Sequence, residues 1–146
     1  MNHKIYTIGF GQKNAKCFFG LLWANGIRKV IDVRLNNVSQ LAGFTKKQDL
    51  EFFLAEICQC GYEHQAQWAP TKELLDSYKK KQISWNDYEK NFLQIMKKRN
   101  VLESVDALCI SNSCLLCSEP TPERCHRRLL AEHLKTKFPS LEIIHL

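Results

Sequence analysis

The chain has 146 residues, of which 45% are hydrophobic and 25% are charged. That length and composition are typical of one soluble globular domain, so we predict a single domain over residues 1–146. No apolar run approaches the ~20 residues that a membrane-spanning helix needs, and the first residues lack a signal-peptide pattern. We therefore expect a cytoplasmic protein with no membrane partner. Its net charge of +6 favours anionic partners such as phosphate-bearing molecules or nucleic acid.

The chain contains seven cysteines, an odd number, and most of them lie inside apolar runs. In a reducing compartment such residues act as small hydrophobic side chains with inert thiols. We therefore expect free thiols rather than a framework of disulfides.

The first half of the chain predicts strands and helices that alternate. Apolar runs that end in glycine or in polar residues indicate buried strands, and apolar positions at helical spacing indicate helices. Asparagine, glycine and the capping-box pattern of residues 45–48 mark where helices begin and end. The predicted elements are a strand over 5–10, a helix from Asn14 to Gly26, a strand over 29–34, a loop through Asn36, Asn37 and Ser39, and a helix from Thr45 to Gly61.

The second half continues this alternation less regularly. Residues 62–67 indicate a weaker, polar strand toward a sheet edge, and residues 107–110 and 115–117 indicate either one bulged strand or two short ones. Thr121 is predicted to cap the last long helix, with Pro122 at its first position, where no N–H is needed. The remaining predicted elements are helices that begin near Thr71 and Ser84 and a final strand over 142–146.

This order of elements predicts the fold class. Strands separated by helices pair in parallel, because parallel pairing needs a crossover, and the crossovers cover the sheet. We therefore predict an α/β domain with a mostly parallel, Rossmann-like sheet and helices on both faces. In such sheets ligands bind outside the carboxyl ends of the strands.

Polar residues concentrate where the predicted strands end. Asp32 and Arg34 alternate with Val33, so they share one face of the second strand. On the last helix, the apolar residues that follow His126 at helical spacing predict that His126 faces the sheet. The residues expected at this edge are Gly9, Asp32, Arg34, Glu63 or His64, Cys117, Glu119, Cys125, His126 and Arg127.

Three kinds of chemistry fit this group of residues. The start of the last helix can bind phosphate or another anion, with Arg34 and Arg127 as bidentate donors. Alternatively, Cys125 or Cys117 is a nucleophile whose thiol pKa is lowered by the helix N-terminus and by adjacent cations. The third option is a zinc site with the ligands Cys114, Cys117, Cys125 and His126.

The spacing of these residues argues against the zinc site. Cys114 and Cys117 are three residues apart in a predicted strand, so their side chains are expected on opposite faces. Adjacent Cys125 and His126 are expected to diverge by about 100° around a helix. We therefore predict no metal and no other cofactor.

Each of these residues also has a purely structural interpretation. Asp32 and Arg34 can pair with each other, and Cys117 can belong to the core. His126 can simply form a hydrogen bond with a backbone carbonyl, and Glu119 can accept hydrogen bonds from the N–H groups of its turn. The rival to a ligand site is therefore an interaction or regulatory domain whose polar cluster is structural. The density of polar residue types at one edge favours a site.

These residues resemble the motifs of the DUF488 family, a domain of unknown function. The shared motifs are Thr7-Ile8-Gly9, Asp32-Val33-Arg34, and the closing Cys-x-Glu-x-x-Pro-x-x-Cys-His-Arg that runs from Cys117 to Arg127. Further matches at Gly43-Phe44, Leu50, Ala69-Pro70-Thr71 and Ser84-Trp85-x-x-Tyr88 extend the resemblance over nearly the whole chain. It implies a small α/β protein with a site at these motifs.

The chain departs from the family pattern in two places. Family members often read Gly-His-Ser after the first strand, where this chain has Phe10 after its glycine. They often carry proline and Ser-Arg after Asp-Val-Arg, where this chain has Asn37, Ser39 and Gln40. One histidine and one arginine of the family's site are therefore replaced.

The function predicted from the sequence is binding of a phosphate-bearing ligand, a nucleotide or a nucleic-acid end, with a catalytic step as an option. The residues expected to bind the ligand are Gly9, Arg34, Cys117 and Arg127. The residues expected to orient it, transfer protons or react are Asp32, Glu119, Cys125 and His126.

Overall fold

The structure is a computed structural model that describes residues 2–37 and 43–146. Its strands are β1 (Lys4–Gly9), β2 (Lys29–Asp32), β3 (Gly61–His64), β4 (Ser113–Cys117) and β5 (Glu142–His145). Its α-helices are α1 (Ala15–Ala24), α2 (Lys47–Phe53), α3 (Lys72–Lys79), α4 (Trp85–Lys98), α5 (Ala107–Ile110) and α6 (His126–Lys137).

The five strands form one sheet in the order β3-β2-β4-β1-β5, and every pair is parallel. The predicted parallel α/β fold is thereby confirmed. β3 lies at an edge, as its polar sequence predicts, although it is shorter than residues 62–67 suggest. Within the described residues, no helix is both long enough and apolar enough to cross a bilayer.

Each face of the sheet carries its own hydrophobic core, because successive residues of a strand point to opposite faces. On one face α1 and α2 pack against the sheet, and their buried side chains include Phe18, Leu22 and Leu50. On the other face α4 and α6 pack through side chains that include Phe92, Met96 and Leu130. Helices therefore cover both faces, as predicted.

Three helices begin at the capping residues that the sequence predicts. The side chains of Asn14, Thr71 and Ser84 each accept a hydrogen bond from a backbone N–H three residues later, at 2.8, 3.2 and 3.1 Å. These bonds satisfy N–H groups that have no partner inside the helix. The starts of α1, α3 and α4 are thus determined by local sequence.

The predicted bounds of the second helix are wrong at both ends. α2 begins at Lys47 and has no side-chain cap bond, so residues 45–48 do not form a capping box. Thr45 instead ends a short 3-10 turn. Beyond α2 the chain continues as a π-helical turn over Leu54–Cys58 and ends in the left-handed conformation at Gln59, with φ of 50°, rather than at Gly61.

The predicted start of the last helix at Thr121 and Pro122 is also wrong, because α6 begins only at His126. The preceding segment is held as an irregular turn by arginine side chains. Nε of Arg128 donates to the carbonyl of Pro122 at 3.2 Å, and its Nη2 donates to that of Glu123 at 3.0 Å. These carbonyls bind side chains instead of helical N–H groups, so the turn does not join the helix.

Residues 107–110, predicted as strand material, form the short helix α5. The side chain of Asp106 accepts from the N–H of Leu108 at 2.8 Å and so caps its start. At its end, Nη2 of Arg28 donates to the carbonyl of Cys109 at 2.9 Å. The strand that follows is therefore β4 alone. The part of the predicted loop at Ser39, and Gln40 beside it, lie outside the described residues.

Candidate functional site

A cleft of about 660 Å³ opens at the carboxyl edge of the sheet. Its lining includes Phe10, Arg34 and Cys117, which lie at or just beyond the ends of β1, β2 and β4. The rest of the lining comes from α3, α4, the residues just after β2, the segments that precede α3, α4 and α6, and the start of α6. This is the position that parallel α/β sheets offer to ligands, and the volume is typical of a small-molecule site.

Two thiols and an imidazole lie together in the cleft. Cys117 ends β4, Cys125 precedes α6, and His126 is the first residue of that helix. Their sulfur and ring nitrogen atoms all lie within 4.8 Å of one another, and all three residues are buried. The Sγ atom of Cys117 is 3.6 Å from Nδ1 of His126.

The convergence of Cys125 and His126 corrects the expectation that their side chains diverge. Cys125 has φ of −138° and ψ of 138°, which is extended backbone outside the helix, so helical spacing does not apply to it. Cys114, by contrast, packs in the core beneath α1 and α2, on the opposite face of β4 from Cys117. The predicted separation of these two thiols is confirmed.

A backbone carbonyl fixes the orientation of the His126 ring. Nε2 lies 2.7 Å from the carbonyl oxygen of Val33, and since a carbonyl can only accept, Nε2 carries a proton and donates it. In the neutral ring Nδ1 is then the basic nitrogen, and it faces Cys117. His126 is therefore placed to take the proton of the Cys117 thiol.

These contacts shift the pKa values of the two thiols in opposite directions. A hydrogen bond from the Cys125 thiol holds the pKa of Cys117 well below its ordinary value, and the His126 charge and the Glu119 backbone N–H act in the same direction. Burial raises the pKa of Cys125, and its bond to Cys117 raises it further. Cys117, which is also the thiol next to Nδ1 of His126, is thus the one whose ionisation these surroundings favour.

The neighbouring Cys117 also shifts the pKa of His126. Burial alone would lower it, but the charge of Cys117 and the hydrogen bond between the two residues raise it above the ordinary value for histidine. The ring of Phe92 packs beside the imidazole, with 5.6 Å between the ring centroids. The site therefore favours a thiolate beside an imidazolium.

Asp32 and Arg34 form a buried ion pair at the end of β2. The carboxylate accepts from Nε and Nη2 of Arg34 at 2.9 and 2.8 Å, and from the hydroxyl of Tyr62 at 2.6 Å. Asp32 is fully buried and does not line the cleft, whereas Arg34 does. The guanidinium of Arg34 also donates to the carbonyl of Thr45 at 2.6 Å and lies 5.5 Å from the ring centroid of Phe10.

Two predicted ligand-binding residues, Arg127 and Gly9, do not line the cleft. Arg127 is fully buried, with Nε 3.3 Å from the hydroxyl of Thr7 and Nη1 2.7 Å from the carbonyl of Glu119. Its Nη2 has no hydrogen-bond partner among the described residues. Gly9 packs against the same segment. These residues support the segment that carries Glu119, and Arg127 does not share the cleft with Arg34.

Two polar residues of β3, Glu63 and His64, bond to residues of β2 or just after it. Nε2 of His64 lies 2.9 Å from the carbonyl of Arg34, and Glu63 forms an ion pair with Lys29 at 2.6 Å. Neither residue lines the cleft. Glu119 does line it, and its side chain is exposed there.

Sequence reasoning missed the aromatic wall of the cleft. The rings of Trp85 and Tyr88 stack with centroids 4.9 Å apart and planes 16° from parallel, and Tyr78 contacts Trp85 edge-on at 5.4 Å. The spacing Ser84-Trp85-x-x-Tyr88 is the signal that could have found it. In the sequence this spacing indicates only the start of a helix, because the sequence does not show which side of α4 faces the strand ends.

Sequence reasoning also missed the two lysines of the cationic rim of the cleft. Lys79, Lys81 and Arg124 are exposed and line the cleft. The run of lysines after α3 is typical of a solvated helix end, so its pattern alone does not indicate a site. Only the fold brings these lysines to the same opening as Arg124.

The fold and the site together define an α/β domain with a cysteine–histidine cluster at the carboxyl edge of a parallel sheet. No curated protein and no solved structure matches the chain. The family model described as "Domain of unknown function DUF488" matches residues 14–134. The chain belongs to the DUF488 family, as its motifs predict.

Proposed function

We propose that the cleft binds a phosphate-bearing ligand, a nucleotide or a nucleic-acid end, and that Cys117 lies in it as a nucleophilic thiolate while His126 holds the proton. The contact between Cys117 and His126 in the cleft carries this proposal. The thiolate is the nucleophilic form of cysteine, and an adjacent base generates it. The proposal assigns the nucleophile to Cys117, which lies next to Nδ1 of His126, rather than to Cys125, whose pKa is raised by burial.

The charges around the cleft support an anionic ligand. Among the residues that the structure describes, three exposed cations line it, Lys79, Lys81 and Arg124, against one exposed carboxylate, Glu119. The charge of Arg34 is matched by Asp32, so the rim supplies the excess positive charge. A cleft with an excess of one charge raises the local concentration of ligands with the opposite charge.

The aromatic wall supports a ligand that also carries a planar group. Tyr78 and Trp85 are partly exposed and line the cleft beside the cationic rim. Nucleic-acid bases stack on aromatic side chains of this kind. A nucleotide or nucleic-acid end therefore fits the cleft better than inorganic phosphate alone.

The pH dependence of alkylation tests the role of Cys117. At pH 6 an ordinary thiol, with a pKa of ~8.5, is almost entirely protonated. Because the pKa of Cys117 is lowered, Cys117 is expected to react with iodoacetamide at pH 6 faster than the exposed thiols of Cys17 and Cys109. Peptide mapping by mass spectrometry measures each rate separately.

Two histidine variants sharpen this test. His126→Asn is expected to slow alkylation of Cys117 at pH 6 by about tenfold or more, since each unit of thiol pKa changes the thiolate fraction tenfold. His133→Asn, which changes an equally buried histidine of α6, is the matched control and is expected to leave the rate unchanged. Equal effects of the two variants would refute the proposed base. One equivalent of bound zinc that protects Cys117 until a chelator is added would replace the nucleophile with a metal site.

Removal of the rim cations tests the ligand. Lys81→Gln with Arg124→Gln is expected to weaken binding of nucleoside monophosphates and 5′-phosphorylated oligonucleotides about tenfold or more, because a hydrogen bond to a charged group contributes roughly 1.5–3 kcal/mol. Titration followed by thermal shift or calorimetry measures this loss. Lys16→Gln with Lys90→Gln removes two exposed lysines that do not line the cleft. If both pairs reduce affinity equally, the cleft is not the binding site.

A further inference from the structure

Helix capping does not explain why a cysteine stands at position 125. It occupies the N-cap position of α6, yet its side chain makes no capping hydrogen bond. Its sulfur atom instead lies within 4.8 Å of the sulfur atom of Cys117, and both residues line the cleft. A second thiol close to a nucleophilic cysteine is the arrangement that permits a disulfide between the two.

We infer that Cys117 and Cys125 form a reversible disulfide after a hydroperoxide oxidises Cys117. This inference rests on the proposed role of Cys117 as a thiolate, and it extends that role to a second reaction of the same sulfur. The oxidant is a small hydroperoxide, which needs access to the cleft but no binding site of its own.

The reaction proceeds in two steps. In the first, the Cys117 thiolate attacks one oxygen of the hydroperoxide, the O–O bond breaks, and the departing oxygen takes the proton held by His126 to leave as an alcohol or water. Cys117 becomes a sulfenic acid. In the second, the sulfur of Cys125 attacks the sulfur of Cys117, the S–O bond breaks, and hydroxide leaves with the Cys125 proton as water. Two thiols are oxidised and one hydroperoxide is reduced.

The backbone around Cys125 suits the second step. The sulfur atoms must approach from their present separation to about 2.05 Å. Cys117 is held in the central strand β4, but Cys125 lies outside α6, at the end of a segment that contains only bends and turns between residues 118 and 124. The approach therefore requires rotation and a small shift at Cys125, without disruption of a strand or a helix.

The disulfide would protect Cys117 and block its other chemistry. A sulfenic acid that is not captured by a thiol is oxidised further to irreversible products. Capture by Cys125 preserves the sulfur in a form that a dithiol can restore. The same bond removes the thiolate from the cleft, so an oxidised protein cannot use Cys117 as a nucleophile.

Treatment of the full chain with one equivalent of hydrogen peroxide tests the inference. We expect the loss of two hydrogen atoms, a cross-link between the peptides that contain Cys117 and Cys125, and full reversal by dithiothreitol. In Cys125→Ser, the sulfenic acid of Cys117 is expected to accumulate and to be trapped by dimedone. Cys114→Ser removes a buried thiol on the opposite face of the same strand, and it is expected to behave as the unaltered protein.

The outcomes separate this inference from the proposed function. Dimedone labelling of Cys117 in the unaltered protein, equal to that in Cys125→Ser, would overturn the disulfide while Cys117 remains a reactive thiolate. A disulfide between other cysteines, such as Cys58 and Cys60, would also overturn it. If Cys117 resists both peroxide and iodoacetamide at pH 6, the proposed function fails together with the inference.

Discussion

Replacement of Gly9 with alanine is expected to lower the free energy of unfolding by about 3 kcal/mol or more. A Cβ atom at this position would lie 1.5 Å from the carbonyl oxygen of Glu119 and 2.8 Å from Nη1 of Arg127. The nearest atom belongs to the backbone, so no side-chain rotation can relieve the collision. Urea unfolding followed by circular dichroism measures the change.

The matched control for this change is Gly20→Ala. Gly20 lies within α1, and a Cβ atom there would meet nothing within 4 Å. Alanine in the interior of a helix is more favourable than glycine by about 0.5–1 kcal/mol, so this variant is expected to be slightly more stable. If both glycine variants unfold at the same urea concentration, the close approach of β1 to the Glu119 segment is wrong.

Replacement of Asp32 with alanine is expected to cost about 3–5 kcal/mol of stability, because removal of one partner leaves the other charge buried without compensation. Asp32 is fully buried, and it accepts hydrogen bonds from both Arg34 and Tyr62. Its loss would leave a buried guanidinium and a phenol hydroxyl without their carboxylate. Chemical unfolding measures the cost.

The Lys29–Glu63 pair provides the comparison for Asp32. Its atoms are only 2.6 Å apart, but the two side chains are 24% and 37% exposed. Ion pairs in contact with water contribute roughly 0–1 kcal/mol, so Glu63→Ala is expected to change stability far less than Asp32→Ala. A small effect at both positions would show that the buried pair of Asp32 and Arg34 does not stabilise the fold.

The sheet was predictable from the sequence because each strand is a short run with a clear end. The apolar residues of these runs form both cores, and the alternation of strands with helices predicts that the strands pair in parallel. The short helix α5 was not predictable, because residues 107–110 are an apolar run that suits a strand equally well. Its end is held by Arg28, which is distant in sequence.

The position of the site and some of its residues could be predicted from the sequence. Cys117 and His126 come together because the carboxyl end of a strand and the start of the next helix are close in any parallel sheet. The convergence of Cys125 depended on the conformation of one residue before the helix, which no spacing rule describes. The buried position of Arg127 depended on its contact with Thr7 of β1, a tertiary contact that its sequence neighbours do not specify.

The cleft draws its thiols and its aromatic wall from separate stretches of the chain. Cys117 and His126 belong to residues 117–126, whereas Tyr78 and Trp85 belong to the crossover between β3 and β4. Substitutions in that crossover can therefore alter which molecules are accepted without touching the reactive sulfur. Under the proposed function, relatives of this domain are free to diverge in ligand choice while they retain one chemistry.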